Sequence, residues 1–200
     1  MAGCLNALTG REPVEFEAEP AAVSDATLDA TGYTHADTDP IVHERTVSTP
    51  IGDRDVVVRN WAAEYHRALE LGSLGTAQMA VFTVLTTPQV SLPGREFNPV
   101  ADMSSRDLAE EVQSEYDELD AVEHVVDETV ELLGSPTTIG VFDAEAVVTG
   151  GVRIGVDLRI SDPVSVDDDY LVVVGVYPSI IPDEDETVRE LTRGVEYDGR

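Results

Sequence analysis

The residue of this sequence with the most specific chemistry is its single cysteine, Cys4, which follows Ala2 and Gly3. Ala-Gly-Cys resembles the end of a lipobox, where a signal peptide is cut before the cysteine and the thiol then takes a lipid. The apolar segment of such a signal does not precede Ala2. We therefore expect either that the chain begins near the mature end or that its start codon is placed too late.

A lipid on Cys4 predicts that the protein is held on a membrane. Two lipid chains on one cysteine give stable anchoring, at about 0.8 kcal/mol per buried CH₂ group. The predicted partner is thus the membrane, reached through the lipid, and the predicted location is the extracellular face of the cell membrane. The alternative is a genuine Met1, a plain free thiol at Cys4 and a cytoplasmic protein.

The histidines offer little metal chemistry, because none has HExxH spacing and no CxxC pair exists to join them. His35 and His43 flank Asp37 and Asp39 in a segment that we predict to be a polar loop. A weak metal site there is the alternative to solvated side chains. His124 lies on the apolar parity of a predicted strand, which favours a hydrogen-bonded and partly buried imidazole.

The acidic run Asp167–Asp169 has oxygen ligands of the kind that Ca²⁺ prefers. Its spacing does not match an EF-hand loop, and 40 acidic residues among 200 make three in a row an expected event. We predict a solvated acidic surface at this run. The sequence thus predicts no catalytic residue, no metal ligand and no cofactor, and an enzyme whose site is assembled from scattered residues is left as an alternative.

The charge composition narrows the classes of partner. The formal net charge is -28, and all 12 basic residues are arginine. Binding to nucleic acid is disfavoured, because phosphate contacts require Lys or Arg. Docking on an anionic membrane by charge alone is disfavoured for the same reason. A single cysteine also excludes a disulfide within the chain.

This excess of carboxylates is typical of a protein that works in molar salt. Like charges destabilise a compact chain at low salt through self-repulsion. At molar salt the screening length falls to about 3 Å, so that most of this repulsion is removed. The absence of lysine fits the same surface chemistry. We therefore predict a halophilic protein, with an ordinary acidic protein as the alternative.

Periodicity predicts a protein of strands and few helices. Helices are predicted over 25–30 with Ser24 as its cap, from Ser104 with Asp107 as a capping-box partner, and after Asp183 with Glu186 in the same role. Apolar alternation or continuous apolar runs predict strands elsewhere, over residues 14–18, 41–47, 54–68, 77–86, 121–133, 142–148, 152–160 and 170–177.

Short turns join the later strands, which predicts an antiparallel meander in the second half. Two amphipathic helices are expected to cover this sheet, so the predicted class is α+β with a central, mainly antiparallel sheet. We find no internal repeat and no change of composition. The predicted organisation is a tether with a lipobox remnant over residues 1–13 and one α+β domain over residues 14–200.

Several segments together resemble a family of haloarchaeal secreted lipoproteins known as a domain of unknown function. The matching features are Ala2-Gly3-Cys4, the strand around Tyr65, Leu171–Pro178 and Glu190–Tyr197. The resemblance implies a secreted, lipid-anchored protein and carries no catalytic residues. The predicted layout is also similar to that of PsbP-like domains, in architecture only, and a fold does not imply a function.

The leading functional hypothesis is a lipid-anchored, halophilic domain on the cell surface that binds or scaffolds without catalysing a reaction. Its protein or small-molecule partner is not identified by the sequence. One alternative is an extracellular hydrolase or another enzyme, and another is a soluble cytosolic halophilic protein.

The net charge of -28 predicts that stability depends on salt. Lowering the salt from molar to about 0.1 M lengthens the screening distance from about 3 Å to about 10 Å. Self-repulsion between carboxylates then increases, so the melting temperature is expected to fall. Thermal unfolding followed by circular dichroism across this range measures the effect. A melting temperature that is equal or higher at low salt contradicts the prediction.

Overall fold

A computed structural model describes residues 13–49, 52–70, 76–92, 95–96, 100–115, 119–148 and 151–199. Within them the chain forms three helices, α1 (Asp25–Thr31), α2 (Ser105–Glu115) and α3 (Glu184–Arg193). The strands are β1 (Val14–Glu17), β2 (Ala22–Val23), β3 (Thr34–Thr49), β4 (Gly52–Glu70), β5 (Thr76–Pro88), β6 (Ser91–Leu92), β7 (Arg95–Glu96), β8 (Leu119–Leu132), β9 (Ser135–Val148), β10 (Val152–Ser161), β11 (Val164–Val166), β12 (Asp169–Pro178) and β13 (Val195–Glu196).

Nine of the strands form one large mixed sheet in the order β1-β4-β5-β12-β10-β9-β8, with β3 on β4 and β11 on β12. Strand β1 runs parallel to β4. The pairs β8–β9, β9–β10 and β10–β12 are antiparallel, so the second half of the chain runs back and forth across the sheet. Strands β2 and β13 form a separate two-stranded sheet.

The predicted fold class, a sheet covered by two amphipathic helices in a PsbP-like layout, is wrong. The large sheet has nine strands, and its hairpin β3–β4 is much longer than the periodicity indicated, with strands of 16 and 19 residues. The helices have only 7, 11 and 10 residues. A helix rises 1.5 Å per residue, so these short helices cover a part of the sheet and leave β3 uncovered.

The larger core lies between one face of the sheet and helices α1 and α3. Its largest buried side chains are Tyr65 on β4, Phe82 on β5 and Tyr177 on β12. Gly175 permits the close approach of α3, because a Cβ atom there would lie 2.9 Å from Val188. The hydroxyl of Tyr65 accepts a hydrogen bond from the backbone N–H of Val23 at 2.8 Å, which ties β2 to this core.

The second core lies on the opposite face, under α2. Phe142 of β9 and Leu158 and Ile160 of β10 are buried there, with Leu108 of α2 packed over them. These residues occupy alternate positions of their strands, because side chains of a strand point to opposite faces in turn. The apolar parity predicted for β10 is therefore present, with Val156 also buried and the end residue Val152 exposed.

The other parity of β10 contains a buried cation. Arg159 has only 5% of its surface exposed, and it lies on the α3 face of the sheet. Its side chain donates to the hydroxyl of Tyr177 at 2.7 Å and to the carboxylate of Glu128 on β8 at 3.0 Å. Arg189 of α3 donates to the same carboxylate at 2.9 Å. We call these residues the Glu128 cluster. Hydrogen bonds from Arg189 hold the pKa of Glu128 below its usual range.

A second polar cluster fixes the first turn of α3. The carboxylate of Glu184 is fully buried, and it accepts hydrogen bonds from Arg67 of β4 and from the hydroxyl of Tyr33, each at 2.7 Å. Burial, and then the bond to Glu184, raises the pKa of Tyr33 well above its usual value, so the hydroxyl is kept protonated as a donor. We call Tyr33, Arg67 and Glu184 the Glu184 cluster.

The helix caps were predicted with mixed success. Helix α1 begins after Ser24, whose hydroxyl accepts from the N–H of Thr27, and it ends at Gly32 in the left-handed conformation that glycine favours. Ser104 and Asp107 also form their predicted hydrogen bonds at the start of α2. The predicted capping box of α3 is wrong, because Asp183 is itself left-handed with φ 61° and makes no side-chain cap bond.

Candidate functional site

A cleft of about 400 Å³ opens where β1, the end of β5 and the turn between β11 and β12 meet. Phe16 and Pro88 provide apolar walls, and Tyr197 closes one side. Six carboxylates also line the cleft and come from two distant stretches of the chain, which are Glu15, Glu17 and Glu19 on one side and Asp167, Asp168 and Asp169 on the other.

The innermost of these carboxylates is structural. Asp169 is only 4% exposed, and one of its oxygens, Oδ2, accepts from the Tyr197 hydroxyl at 2.7 Å and from the N–H of Glu19 at 2.8 Å. Burial, and then this bond to Asp169, raises the pKa of Tyr197 well above its usual value. The segment after β1 and the end of the chain are thus joined through a single carboxylate.

The prediction that Asp167–Asp169 form a solvated surface is therefore wrong for Asp169, while Asp167 and Asp168 are exposed. The alternation of β12 explains the difference. Asp169 is the first residue of this strand and shares the inward parity of Leu171, whereas Asp167 forms the turn before it with φ 47°. Composition alone could not separate three consecutive aspartates, but the strand parity could have done so.

Gln89 fixes the shape of the turn beside the cleft. Its backbone N–H donates to the carbonyl of Asp168 at 2.7 Å, and its side-chain amide donates to the hydroxyl of Ser165 at 3.0 Å. Weaker bonds at 3.4 Å reach the carbonyls of Asp167 and Asp169. Because these bonds hold the backbone, the two exposed carboxylates of the turn stand at a fixed mouth of the cleft.

The electrostatic character of this cleft is strongly negative. A concave surface lined by one sign of charge concentrates counter-ions, and its effect weakens as salt increases. In the described part of the chain, however, no group of three or more His, Cys, Asp or Glu side chains is arranged to hold a metal ion. The arrangement therefore provides a negative field and two apolar walls, and it does not provide a preformed coordination site.

The histidines lie outside this cleft. His35 and His43, with Asp37 and Asp39, belong to β3, so the polar loop predicted for them is wrong. The imidazole of His35 bonds Thr38 at 2.8 Å and contacts the ring of Tyr65 edge-on.

His124 is hydrogen-bonded, as predicted, and one quarter of its side chain is exposed. Its ring packs edge-on against Phe142, with 5.4 Å between the ring centres. Its Nε2 atom lies 2.6 Å from Asp127 and 3.2 Å from Arg106. No serine or threonine hydroxyl bonds this imidazole among the contacts of the described residues, whereas a nucleophilic dyad needs such a hydroxyl beside the base.

Cys4 and the predicted tether lie outside the described residues, apart from Pro13. The described helices include none that combines the length and the apolar character needed to span a membrane.

Comparison with known protein families shows to which family this chain belongs. Residues 20–196 match the family model of a domain of unknown function, DUF6517. The chain belongs to this family. The match begins just after β1 and ends at the last residue of β13, so it includes the other eight strands of the large sheet, the three helices and six of the eleven residues that line the cleft. No curated protein matches the chain. The match confirms the coarser part of the predicted resemblance, which is that the chain contains a domain of unknown function.

The sequence analysis missed the residues that build the site. Glu19, Gln89 and Tyr197 had no role assigned to them, because each acts through a partner that is distant in the chain. Tyr197 had appeared only at the end of the segment Glu190–Tyr197 that carried the family resemblance. Nothing in the sequence pairs it with Asp169.

Asp169 is expected to be far more important for stability than its neighbour Asp168. Asp169→Ala leaves the hydroxyl of Tyr197 and the N–H of Glu19 without their acceptor, at a cost of about 2 kcal/mol. Asp168→Ala removes an exposed carboxylate and should change stability by less than about 0.5 kcal/mol. Chemical denaturation of both variants in the same salt gives the two free energies of unfolding. Equal losses would show that Asp169 does not join the two segments.

Proposed function

We propose that this chain is a lipid-anchored, salt-adapted domain at the outer face of the cell membrane, where it binds a partner and catalyses no reaction. The observation that carries the proposal is Cys4 in the sequence Ala-Gly-Cys, placed directly before the domain. The membership in a domain family of unknown function leaves this role open. Its support comes from the chemistry of the N-terminal segment and of the surface.

The spacing between Cys4 and the folded domain suits a lipid anchor. Strand β1 begins at Val14, so the segment from Leu5 to Pro13 would connect the lipid to the sheet. An extended chain spans at most about 3.3–3.6 Å per residue, which gives this segment a reach of about 30 Å. The domain would therefore remain within one domain diameter of the membrane, with β1 as its nearest strand along the chain.

The proposed adaptation to salt is supported by the use of arginine. In the described part of the chain, most ion-paired arginines join different elements or several acids, as with Arg153, which donates to Asp120 at 2.9 Å and to Glu145 at 3.2 Å. The chain has a net charge of -28, so its few cations form such pairs while most carboxylates face solvent. In molar salt the exposed carboxylates are screened and remain hydrated.

The proposed binding role is supported by the acidic cleft. Binding sites are usually concave and combine apolar walls with a small number of fixed polar groups. Here the walls are Phe16 and Pro88, and Gln89 fixes the exposed carboxylates of the neighbouring turn. The cleft is lined by β1, so a lipid on Cys4 would place it at the end of the domain where the tether enters.

The anchor is tested by expressing the full reading frame in a halophilic archaeal host. The wild-type chain is expected to sediment with membranes and to enter the detergent phase, because two buried acyl or isoprenoid chains resist extraction by salt. Cys4→Ser removes the thiol and is expected to release the protein or to block its processing.

Asn6→Ser is the matched control, since it changes a neighbouring tether residue and leaves the thiol in place. It should behave as the wild type does. A wild-type protein that stays in the soluble cytoplasmic fraction with Met1 intact contradicts the proposal. So does a Cys4→Ser variant that remains in the detergent phase.

A further inference from the structure

Strand β3 is an unusually exposed edge of the large sheet. It has 16 residues and pairs with β4 from Thr34 to Thr49 except at Ala36, and no described strand pairs with its other edge. Both of its faces are also open, since Val47 is the only buried side chain among residues 34–48. Ile41 and Val42 at its centre are 40% and 44% exposed. Long exposed edges with apolar centres are sites where further strands add.

The backbone of β3 shows which groups a further strand would meet. The N–H of Thr38 bonds the side chain of Asp37 at 2.8 Å, so this N–H is directed away from β4. Backbone groups of successive residues alternate in direction, which places those of Pro40, Val42 and Glu44 on the same free edge. Pro40 fits there, because proline in a sheet is confined to edges where its missing N–H costs no ladder bond.

Thr38 and Pro40 restrict which strands can pair with this edge of β3. Thr38 and Pro40 offer carbonyl oxygens without a free N–H, while Val42 and Glu44 offer both groups. A partner strand must therefore present donors opposite Thr38 and Pro40. An antiparallel copy of β3 centred on Ile41 does so, because it places Glu44 opposite Thr38 and Val42 opposite Pro40. The two partly blocked positions are thus matched by the two open ones.

The side chains of this pairing are also complementary. With Ile41 opposite itself, the carboxylate of Asp37 faces the cation of Arg45, and the carboxylate of Asp39 faces the imidazole of His43, each pair occurring twice around the two-fold axis. All of these residues are exposed and lie on one parity of the strand. Within one chain Asp37 lies directly opposite Glu64 of β4, which is an unfavourable pair of like charges. Arg45 of a second copy would offset this repulsion.

We propose that two copies of this chain associate through β3, in antiparallel register about Ile41, to form a sheet that is continuous across both copies. Val42 and Glu44 of each copy donate to the carbonyls of Pro40 and Thr38 of the other. The axis lies near the centre of the strand, so the register pairs residues 37–45, which follow the irregularity at Ala36 and alternate regularly. The dimer needs no contribution from the acidic cleft and is independent of the lipid anchor.

The test uses charge reversal in the full chain carrying Cys4→Ser, so that no disulfide can join two copies. Sedimentation velocity in the lowest salt that preserves the fold measures the dimer dissociation constant. Arg45→Asp and Asp37→Arg each place like charges opposite one another twice and should weaken the dimer about tenfold or more. The double variant Asp37→Arg with Arg45→Asp has the wild-type composition and restores both pairs, so it should recover the wild-type constant within about threefold.

Arg106→Asp is the matched control, because it makes the same charge change at an exposed residue of α2. It should leave the dissociation constant unchanged, and far-ultraviolet circular dichroism verifies that each variant is folded. Recovery in the double variant supports the proposal even if one single variant is unstable. A wild-type chain that is monomeric at millimolar concentration overturns it, and so does a dimer that ignores both single reversals or is not restored by the double variant.

Discussion

Helix α3 is held on the sheet by two ion-pair clusters that each contain one buried charge, Glu184 in one and Arg159 in the other, and the larger core and the cleft depend on its position. In the Glu184 cluster, the carboxylate at the start of the helix has no exposed surface and is paired with Arg67. In the Glu128 cluster, Arg189 from the middle of the helix shares a carboxylate with Arg159 of β10. A buried charge without a partner costs several kcal/mol, so any shift of α3 that breaks these pairs is strongly unfavourable. The apolar stripe of Val188 and Leu191 supplies burial, and the charges determine where the helix lies.

The position of α3 determines where the floor of the cleft lies, through a short series of contacts. The helix ends at Gly194, where an added Cβ would meet Thr27 of α1, and β13 follows at once and pairs with β2. Tyr197 comes next and donates to Asp169 in the floor of the cleft. The acidic mouth is therefore held by elements that the two clusters fix, although the clusters themselves lie under the helix. Three of the 12 arginines of the chain, Arg67, Arg159 and Arg189, therefore take part in orienting this one helix.

Local patterns predicted the parts of the fold that depend on neighbours in sequence. The alternation over residues 152–160 indicated β10, Ser24 marked the start of α1, and the segments 41–47 and 54–68 indicated the two strands of the β3–β4 hairpin. The length of that hairpin could not be predicted, because almost all of β3 is exposed and its polar residues read as a loop. Strands stabilised by backbone pairing rather than by burial leave little hydrophobic signal.

The clusters escaped prediction for a related reason. Glu184 was one acid among several at the start of a helix, where the helix dipole explained all of them equally well. The cost of burying its carboxylate is offset by the ion pair with Arg67, which lies 117 positions earlier in the chain. Arg159 alternates with the apolar residues of β10, and α3 packs over the face of the sheet on which it lies. Pairing over such distances is a property of the sheet topology and not of any short pattern.

The free energy of unfolding of Glu184→Ala, compared with that of Glu190→Ala, tests most directly whether α3 is held by buried charge. Both substitutions remove a carboxylate from the same helix, but Glu190 is exposed. The account predicts a loss of about 3 kcal/mol or more for Glu184→Ala, because Arg67 and Tyr33 lose their buried partner. It predicts a change within about 0.5 kcal/mol for Glu190→Ala. Equal free energies of unfolding for the two variants would contradict the central role given to these clusters.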